Sequence, residues 1–265
     1  MQRFDGQITV GRLASAAARR IADLPQAWAW RYSAAARANR RALAALAGRH
    51  RGQRAFIMGN GPSLGSMDLA PLADEITFGM NRIYLLFDQM RFQPSYYVAI
   101  NDLVLGQFAE EISALPMPKF LNWNQRAAFP DDDSILYLRP RLALQDGFQA
   151  DMRQPIYTGG TVTYAALQLA YYMGFDEVLL IGVDHRFAAQ GTPNRAEMRM
   201  GADRDHFHPD YFPAGSRWQL PDLRRSELAY ALADEAFHAA GRRVLDATVD
   251  GACPVFDKVD FEGLF

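Results

Sequence analysis

The chain is short of cysteine, lysine and long apolar runs, and each shortage excludes a class of protein. Cys253 is the only cysteine, so no internal disulfide can form, and this usage fits a reducing compartment. No apolar run reaches the roughly 18 residues of a membrane-spanning helix. Arg12, Arg19 and Arg20 interrupt the N-terminal region where a signal peptide would be apolar. We therefore expect a cytoplasmic protein.

The shortage of lysine goes together with a segregation of arginine. Residues 1–54 contain 11 arginines against Asp5 and Asp23, whereas the rest of the 265-residue chain contains 17 basic and 28 acidic residues. The hydrophobic content of 49% is that of an ordinary globular protein with a sizeable core. The charge distribution therefore predicts a basic segment appended to a main domain.

We assign residues 1–52 to a basic helical N-terminal arm. Apolar residues recur in it at helical spacing, and Pro25 is the one clear interruption, so the pattern predicts two helices that meet near residues 23–25. The arm packs on the main domain or on a second subunit, or it binds peripherally to an anionic membrane at the inner face, as Trp28 and Trp30 favour. It has no motif for reading nucleic acid, so we expect no nucleic-acid partner.

Residues 53–265 alternate apolar strands with helical stretches. This alternation predicts an α/β, Rossmann-like fold, doubly wound around a mostly parallel sheet. The predicted strands are 54–58, 76–80, 96–100, 118–122, 134–138, 177–183 and 242–246. The predicted helices are 65–73, 103–114, 160–173 and 222–240. The segment from Ala188 to Leu220 is long for a connection, and long connections are commonly functional. We interpret 53–265 as a nucleotide-binding catalytic domain.

The first predicted strand runs directly into a turn that contains Gly59, Asn60, Gly61 and Ser63, which we take as candidate nucleotide-binding residues. The glycines allow a tight turn and the close approach of a ligand, and a strand followed by such a turn and a helix presents backbone N–H groups to a phosphate. The third glycine of the dinucleotide fingerprint and the lysine of a P-loop are both missing. A plain strand–turn–helix corner is the structural alternative.

Small polar residues also follow three later strands. Asn81 follows the second strand, Asn101 and Asp102 follow the third, and Gly182, Asp184 and His185 follow the apolar part of the sixth. Because ligands of open α/β sheets lie outside the carboxyl ends of the strands, we expect these residues to meet at one edge. An asparagine amide can pair with a base or a ribose without carrying charge. Single asparagines favour turns and caps, but three in register favour a nucleotide site.

Thr158, Gly159 and Gly160 introduce the third predicted helix of the main domain. Thr158 is the predicted N-cap, and the two glycines leave the N–H groups of the first turn uncovered. Such a helix start favours a phosphate or a carboxylate. A well-formed helix N-terminus without a ligand would have the same sequence.

His206 and His208 lie two residues apart in the long segment, with carboxylates beside them. Histidines at this spacing occur in metal sites, but the chain has no further cysteine or histidine at suitable spacing, so we predict no metal site. Because the ordinary pKa of histidine lies near neutrality, a loop histidine beside a nucleotide is better suited to act as a general base. A surface turn packed on aromatic residues is the remaining interpretation.

Taken together, the motifs resemble the bacterial sialyltransferases that use CMP-sialic acid, and they are still more similar to the hydroxymethylpterin-diphosphokinase-like (MptE-like) family. Motility-associated flagellin glycosyltransferases carry a related domain. The matching stretches are Gly59–Leu64, Met80–Tyr84, Thr158–Gly160 and Leu180–Asp184. The combination carries the resemblance, because each stretch is short.

The resemblance implies a glycosyltransferase that moves an acidic sugar from a CMP-activated donor to a hydroxyl of a glycan-type or other acceptor, with inversion and without a cofactor. It implies Asn60 near the donor phosphate, Asn81 and Asn101 at the ribose and base, and residues 158–160 along the nucleotide. It also implies a histidine base, which is His206 or His208, with His206 slightly favoured. The family pattern has a serine at position 159 and a tyrosine at position 186, where Arg186 would contact the phosphate by charge.

Two alternatives stay open at this point. A 6-hydroxymethylpterin diphosphokinase would move a pyrophosphate from ATP and would need Mg²⁺, held by Asp102 and Asp184. The scarcity of lysine and the mostly uncharged ring of polar residues favour glycosyl transfer over that reaction. A non-catalytic nucleotide-binding or assembly module would use the arginine-rich arm as its partner surface. One fold hosts many activities, so the fold does not decide among them.

Overall fold

The structure is a computed structural model that describes residues 10–189 and 191–265, with the side chains of its first helix from residue 17 onward. Its centre is an eight-stranded sheet in which every pair of neighbouring strands is parallel. The strands are β1 (Arg54–Met58), β2 (Thr77–Met80), β3 (Tyr96–Ala99), β4 (Lys119–Asn122), β5 (Ile135–Leu138), β6 (Glu177–Ile181), β9 (Arg243–Asp246) and β10 (Asp257–Lys258). A separate antiparallel pair consists of β7 (Ala196–Met198) and β8 (Arg217–Gln219).

Six α-helices accompany these strands in the described residues. They are α1 (Val10–Tyr32), α2 (Ala34–Ala44), α3 (Asp102–Gln107), α4 (Ala109–Ser113), α5 (Val162–Met173) and α6 (Leu223–Ala239). Short 3-10 helices span Pro62–Ser66, Ala70–Asp74, Ile83–Leu86, Trp123–Ala128 and Glu262–Leu264. No helix in the described ranges combines the length and the apolar character that crossing a bilayer requires.

Helices cover both faces of the sheet, which confirms the predicted doubly wound α/β fold. On one face α2, α5 and α6 pack into a single buried cluster, to which Leu43, Leu167 and Phe237 belong. On the other face α3, α4 and three of the 3-10 helices bury a second cluster, which includes Leu105 and Ile112. Apolar side chains on both faces of the strands match the continuous apolar runs of a buried parallel sheet.

The strand order in the sheet is β10-β9-β6-β1-β2-β3-β4-β5. The chain therefore moves outward from β1 to β5, returns through α5 to β6 on the other side of β1, and continues to β10. The order reverses between β1 and β6, and a crevice forms at such a reversal in an open α/β sheet. This reversal lies at the carboxyl ends of β1 and β6, where the sequence has Gly59 and Gly182.

The N-terminal segment differs from the prediction, because α1 continues through Pro25 as one helix to Tyr32. The break lies at Ser33 instead, whose Oγ accepts a hydrogen bond of 3.1 Å from the N–H of Ala36 and so caps α2. The carbonyl that Pro25 leaves without its helical donor belongs to Ile21, which faces solvent, so water can take the place of the missing N–H. Residues 1–9 of the predicted arm lie outside the described residues, and the boundary at residues 52 and 53 stays a prediction.

Several predicted helices are shorter than expected. The predicted helix 65–73 is two 3-10 turns, because Gly65 and Pro71 interrupt it, and the predicted helix 103–114 is divided at Phe108, whose φ of −128° is not helical. The long segment 188–220 contains the β7–β8 hairpin, which the sequence analysis did not predict.

Candidate functional site

A cavity of about 200 Å³ lies above the reversal in strand order. The turns after β1, β2, β3 and β6 form its floor, and the first residues of α5 and α6 form one side. The segment 185–221 forms the opposite wall. Of the candidate residues named above, ten line the cavity: Gly59, Asn60, Gly61, Asn81, Asn101, Gly160, Gly182, Asp184, Arg186 and His206. The convergence expected from the polar ends of the strands is therefore present.

The floor consists of two interlocked turns. A Cβ on Gly59 would overlap the Gly182 carbonyl, and a Cβ on Gly61 would overlap the Asp184 carboxylate. The Asp184 carboxylate in turn accepts hydrogen bonds from the N–H (3.0 Å) and the Oγ (2.7 Å) of Ser63. The two glycines thus allow the two turns to approach each other closely. The Asp184 carboxylate occupies the helix start at which the sequence analysis expected a phosphate.

Two asparagine side chains in this cavity have unpartnered oxygens. The Oδ1 atoms of Asn60 and Asn81 are buried, and no hydrogen-bond donor among the described residues reaches either of them. A buried polar atom without a hydrogen-bond partner lowers the stability of the fold, so each such atom needs an explanation. A ligand that donates to these two oxygens when it binds would be one explanation. Asn81 also has a positive φ of 48°, a backbone conformation that accumulates at functional sites.

Asn101 and Asp102 mainly stabilise local structure. The Asn101 Oδ1 caps α3 by accepting from the N–H groups of Leu103 (2.8 Å) and Val104 (3.3 Å), although the residue also lines the cavity. The Asp102 carboxylate lies outside the cavity lining and accepts from the amides of Asn122 (2.8 Å) and Gln125 (2.9 Å). Local structure therefore accounts fully for Asp102. For Asn101 it accounts only in part, because this residue caps α3 and also lines the cavity.

The start of α5 lies at the cavity, but three residues later than predicted. Thr161 is its N-cap, with Oγ1 accepting from the Thr163 N–H at 3.3 Å, and Gly160, Thr161 and Thr163 line the cavity. The predicted cap Thr158 instead bonds to Arg225 (3.3 Å), and the N–H of Gly159 donates to Asp146 (3.2 Å). Neither Thr158 nor Gly159 is part of the cavity lining.

His206 lines the cavity, and its ring is held by a hydrogen bond at one edge and by stacking on one face. Its Nδ1 is 2.9 Å from the Asp203 carboxylate, and the ring stacks on Tyr211 at 4.0 Å with an interplanar angle of 6°. Because a carboxylate can only accept, Nδ1 carries the hydrogen, and in the neutral imidazole Nε2 then has the lone pair. No side chain in the described part of the chain bonds to Nε2. A histidine oriented by a carboxylate in this way is the arrangement of a general base.

The loop that carries His206 is closed on itself by one backbone bond and is fastened to the floor by Asn60 and Arg82. The N–H of Phe207 donates to the Asn60 carbonyl (3.1 Å), and the Asp203 N–H donates to the Pro209 carbonyl (2.7 Å). The buried Arg82 guanidinium donates to the carbonyls of Asp210 (2.7 Å) and Tyr211. His206 is therefore fixed relative to Asn60 and Asn81.

The second histidine of the pair has a different environment. His208 does not line the cavity, and its Nδ1 accepts from the N–H of Asp210 at 3.1 Å. That bond closes a local turn. The geometry supports His206 over His208 as the candidate base.

Behind His206, two buried carboxylates share one guanidinium, so their charges are only partly neutralised. Asp203 and Asp205 are both buried, and one guanidinium, that of Arg199, contacts Asp203 at 3.1 Å and Asp205 at 3.2 Å. Burial alone would raise the pKa of Asp203, but the bond to His206, the N–H of Asp205 and the charge of Arg199 together hold that pKa below its ordinary value. Asp203 is therefore ionised beside the imidazole at neutral pH.

The remaining charged candidate, Arg186, lines the cavity from an exposed position, and its guanidinium donates to the Asp250 carbonyl. His185, which the sequence analysis placed at this edge of the sheet without assigning it a role, lies next to it with a positive φ of 56°. Its Nε2 is 3.0 Å from the Glu227 carboxylate of α6. The position of His185 after the sixth strand can be read from the sequence, but its contact with Glu227, 42 residues further along the chain, cannot.

An aromatic wall was also missed by the sequence analysis. Tyr211, Phe212 and Trp218 line the cavity beside His206, and Trp218 comes from the unpredicted strand β8. Burial raises the pKa of Tyr211 well above its ordinary value, so its hydroxyl stays neutral. Such a wall makes this side of the cavity apolar.

Metal ligands do not converge in the described residues. No group of three or more His, Cys, Asp or Glu side chains there is arranged to hold a metal ion. Asp102 and Asp184, the pair considered for Mg²⁺, bond to amides and to Ser63 respectively, and only Asp184 lines the cavity.

Comparison with known proteins gives one informative match. No protein-family model and no curated protein matches the chain. Among solved structures, the chain is similar to the MAf glycosyltransferase from Magnetospirillum magneticum AMB-1, with a TM-score of 0.51 and 16% sequence identity. The match covers 86% of this chain and 38% of that protein. At this identity the similarity shows a shared fold alone, and the chain spans well under half the length of that protein.

Proposed function

We propose that this chain is a glycosyltransferase that takes an acidic sugar from a CMP-activated donor, with His206 as the general base. The observation that carries the proposal is the Asp203–His206 pair on the wall of a cavity whose floor holds the unpartnered oxygens of Asn60 and Asn81. The fold shared with a glycosyltransferase supports the reaction class. That neighbour is much longer than this chain, so its own substrates do not transfer.

The nucleotide fits the neutral half of the cavity. The amides of Asn60 and Asn81 offer donors and acceptors to a base or ribose, and the aromatic wall offers apolar contact. The phosphate belongs at the start of α5, where Gly160, Thr161 and Thr163 line the cavity, with Arg186 as the cation. It does not belong at Ser63, because the Asp184 carboxylate occupies that helix start.

The proposed reaction needs one base and one anion-stabilising site. Nε2 of His206 takes the proton of the acceptor hydroxyl while its oxygen bonds to the anomeric carbon. The bond between that carbon and the phosphate oxygen breaks, and its electron pair leaves with CMP. Attack from the face opposite the phosphate inverts the anomeric centre. Asp203 stabilises the imidazolium that forms, and Arg186 with the N–H groups of α5 stabilises the departing phosphate.

A nucleotide panel with two histidine variants tests the proposal. We expect CMP and CDP to raise the melting temperature, and ATP with Mg²⁺ to leave it unchanged. His206→Ala should bind CMP but lose turnover with a CMP-activated acidic sugar by about 10²–10⁴-fold, the contribution of a general base. His208→Ala is the matched control and should keep turnover.

Three results would contradict the proposal. Stabilisation by ATP only with Mg²⁺ would favour the diphosphokinase, and no response to any nucleotide would favour a non-catalytic module. Full turnover in His206→Ala would remove the assignment of the base.

A further inference from the structure

The outer face of α1 is an exposed apolar stripe. Ile21, Leu24, Trp28 and Tyr32 are 67%, 61%, 67% and 52% exposed. They recur at intervals of three and four residues, so they lie on one side of the helix. Four large apolar side chains in one row are more than the scattered exposure of an ordinary surface.

The opposite side of α1 is fixed to the body of the protein. Trp30 is buried with its ring 5.1 Å from that of Trp123 in an edge-on contact. The Asp23 carboxylate pairs with the buried guanidinium of Arg139, and Gln26 accepts from Arg126. These contacts fix the orientation of α1, so the apolar stripe faces solvent.

A groove of about 1020 Å³ runs between α1 and residues 139–157. Its lining contains six arginines, Arg20, Arg31, Arg40, Arg139, Arg141 and Arg153, against the single acidic residue Asp23. Asp23 is neutralised by Arg139, and Arg153 pairs with Asp151. In the described parts of the chain, the other four arginines contact no carboxylate. The groove therefore has a net positive charge of about four, and Leu24 and the exposed Leu142 line it as well.

We propose that this face of α1, together with the groove, binds the surface of an anionic lipid bilayer. Trp28, Ile21 and their neighbours on the stripe enter the boundary between headgroups and acyl chains, and the arginines of the groove contact lipid phosphates. Basic residues beside an apolar helix face are the combination that binds such a surface. The proposal rests on the arm and does not depend on the proposed function of the cavity.

A second copy of the chain fits this face less well. In a two-fold dimer the same surface meets itself, so each arginine groove would face its own copy and repel it. Nucleic acid would satisfy the arginines but would leave the apolar stripe in water. An anionic bilayer satisfies both.

Vesicle sedimentation with the full-length chain tests the proposal. We expect binding to vesicles of phosphatidylglycerol mixed with phosphatidylcholine, loss of binding as salt is raised, and no binding to phosphatidylcholine alone. The variant R20Q/R31Q/R141Q should bind about a hundredfold more weakly, since each arginine contributes about fivefold. The variant L24S/W28S should lose at least about tenfold.

Matched controls lie elsewhere on the surface. Arg91→Gln removes an exposed arginine from the other face of the sheet, and Met200→Ser removes an apolar side chain that is almost fully exposed. Both should bind like the unmodified chain. Equal binding to neutral and anionic vesicles, or none to either, would overturn the proposal. A dimer that L24S/W28S dissociates, without vesicle binding, would assign the face to a second copy instead.

Discussion

Replacing Asp203 by asparagine tests whether the carboxylate behind His206 serves the chemistry or only the fold. The substitution keeps the size of the side chain and an oxygen that can accept from Nδ1, and it removes the negative charge. Asp203 does not touch the cavity, so it is a positioning residue that acts through His206. If the pair works as proposed, the charge matters most when the imidazole has taken the acceptor proton.

The expected size of the effect follows from the contacts. A hydrogen bond to a charged group contributes about 1.5–3 kcal/mol and a neutral one about 0.5–1.5 kcal/mol, so removal of the charge costs about 1–1.5 kcal/mol in the transition state and lowers kcat by roughly 5- to 13-fold. Stability falls as well, by about 1–3 kcal/mol, because Arg199 loses one of its two carboxylate partners in a buried site. KM for the donor should stay within about threefold, since Asp203 contacts no part of the nucleotide site.

The assay measures kcat and KM with a CMP-activated acidic sugar and urea unfolding on the same samples. Glu75→Gln is the matched control, because Glu75 pairs at 2.5 Å with Arg54 at the start of β1, at the end of the strand opposite to the cavity. It should lose stability and keep kcat. If Asp203→Asn also kept kcat within twofold while losing stability, the pair would be structural and the proposed role of His206 would be wrong.

Three further predictions concern the fold. Pro25→Ala should raise the free energy of unfolding by about 1–3 kcal/mol in urea, because α1 already runs through this position; an unchanged value would contradict the continuous helix. Gly61→Ala should cost about 3 kcal/mol because its Cβ meets Asp184, whereas Gly106→Ala, with open space around it, should be neutral or stabilising. Burial raises the pKa of Tyr230 to about 12, so the neutral phenol stabilises the fold below pH 10 and that contribution, about 3 kcal/mol, is lost as the pH rises to 12. The free energy of unfolding of Tyr230→Phe, measured in urea between pH 10 and 12, should lack this loss. The same pH dependence in the variant and the unmodified chain would refute the prediction.

Much of the sheet could be predicted because its signals are local. Each of the seven predicted strands overlaps an observed one, since buried parallel strands are continuous apolar runs that end at turn residues. The parallel arrangement also brings the residues after β1 and β2 to one edge, so the positions of Asn60 and Asn81 directly after two predicted strands were enough to place them together.

The errors arise where a distant partner decides the structure. Ser63 binds the carboxylate of Asp184, 121 residues away, and this contact replaces the phosphate that the turn alone suggested. Thr158 bonds to Arg225, and Thr161 is the N-cap of α5 instead. The local sequence does not distinguish these two threonines. Strands β7 and β8 are three residues each and largely exposed, so they leave almost no apolar pattern.

The interlocked turns below the cavity have a consequence for how such a site diversifies. Gly59 and Gly182 meet with no space for a single methyl group, so the base of the crevice cannot widen without pushing β1 and β6 apart. In the described residues of the opposite wall, 185–189 and 191–221, the small antiparallel pair β7–β8 forms a sheet separate from the main one. New ligand preferences in related chains should therefore arise through replacement of that wall, while the glycine contact beneath it is inherited unchanged.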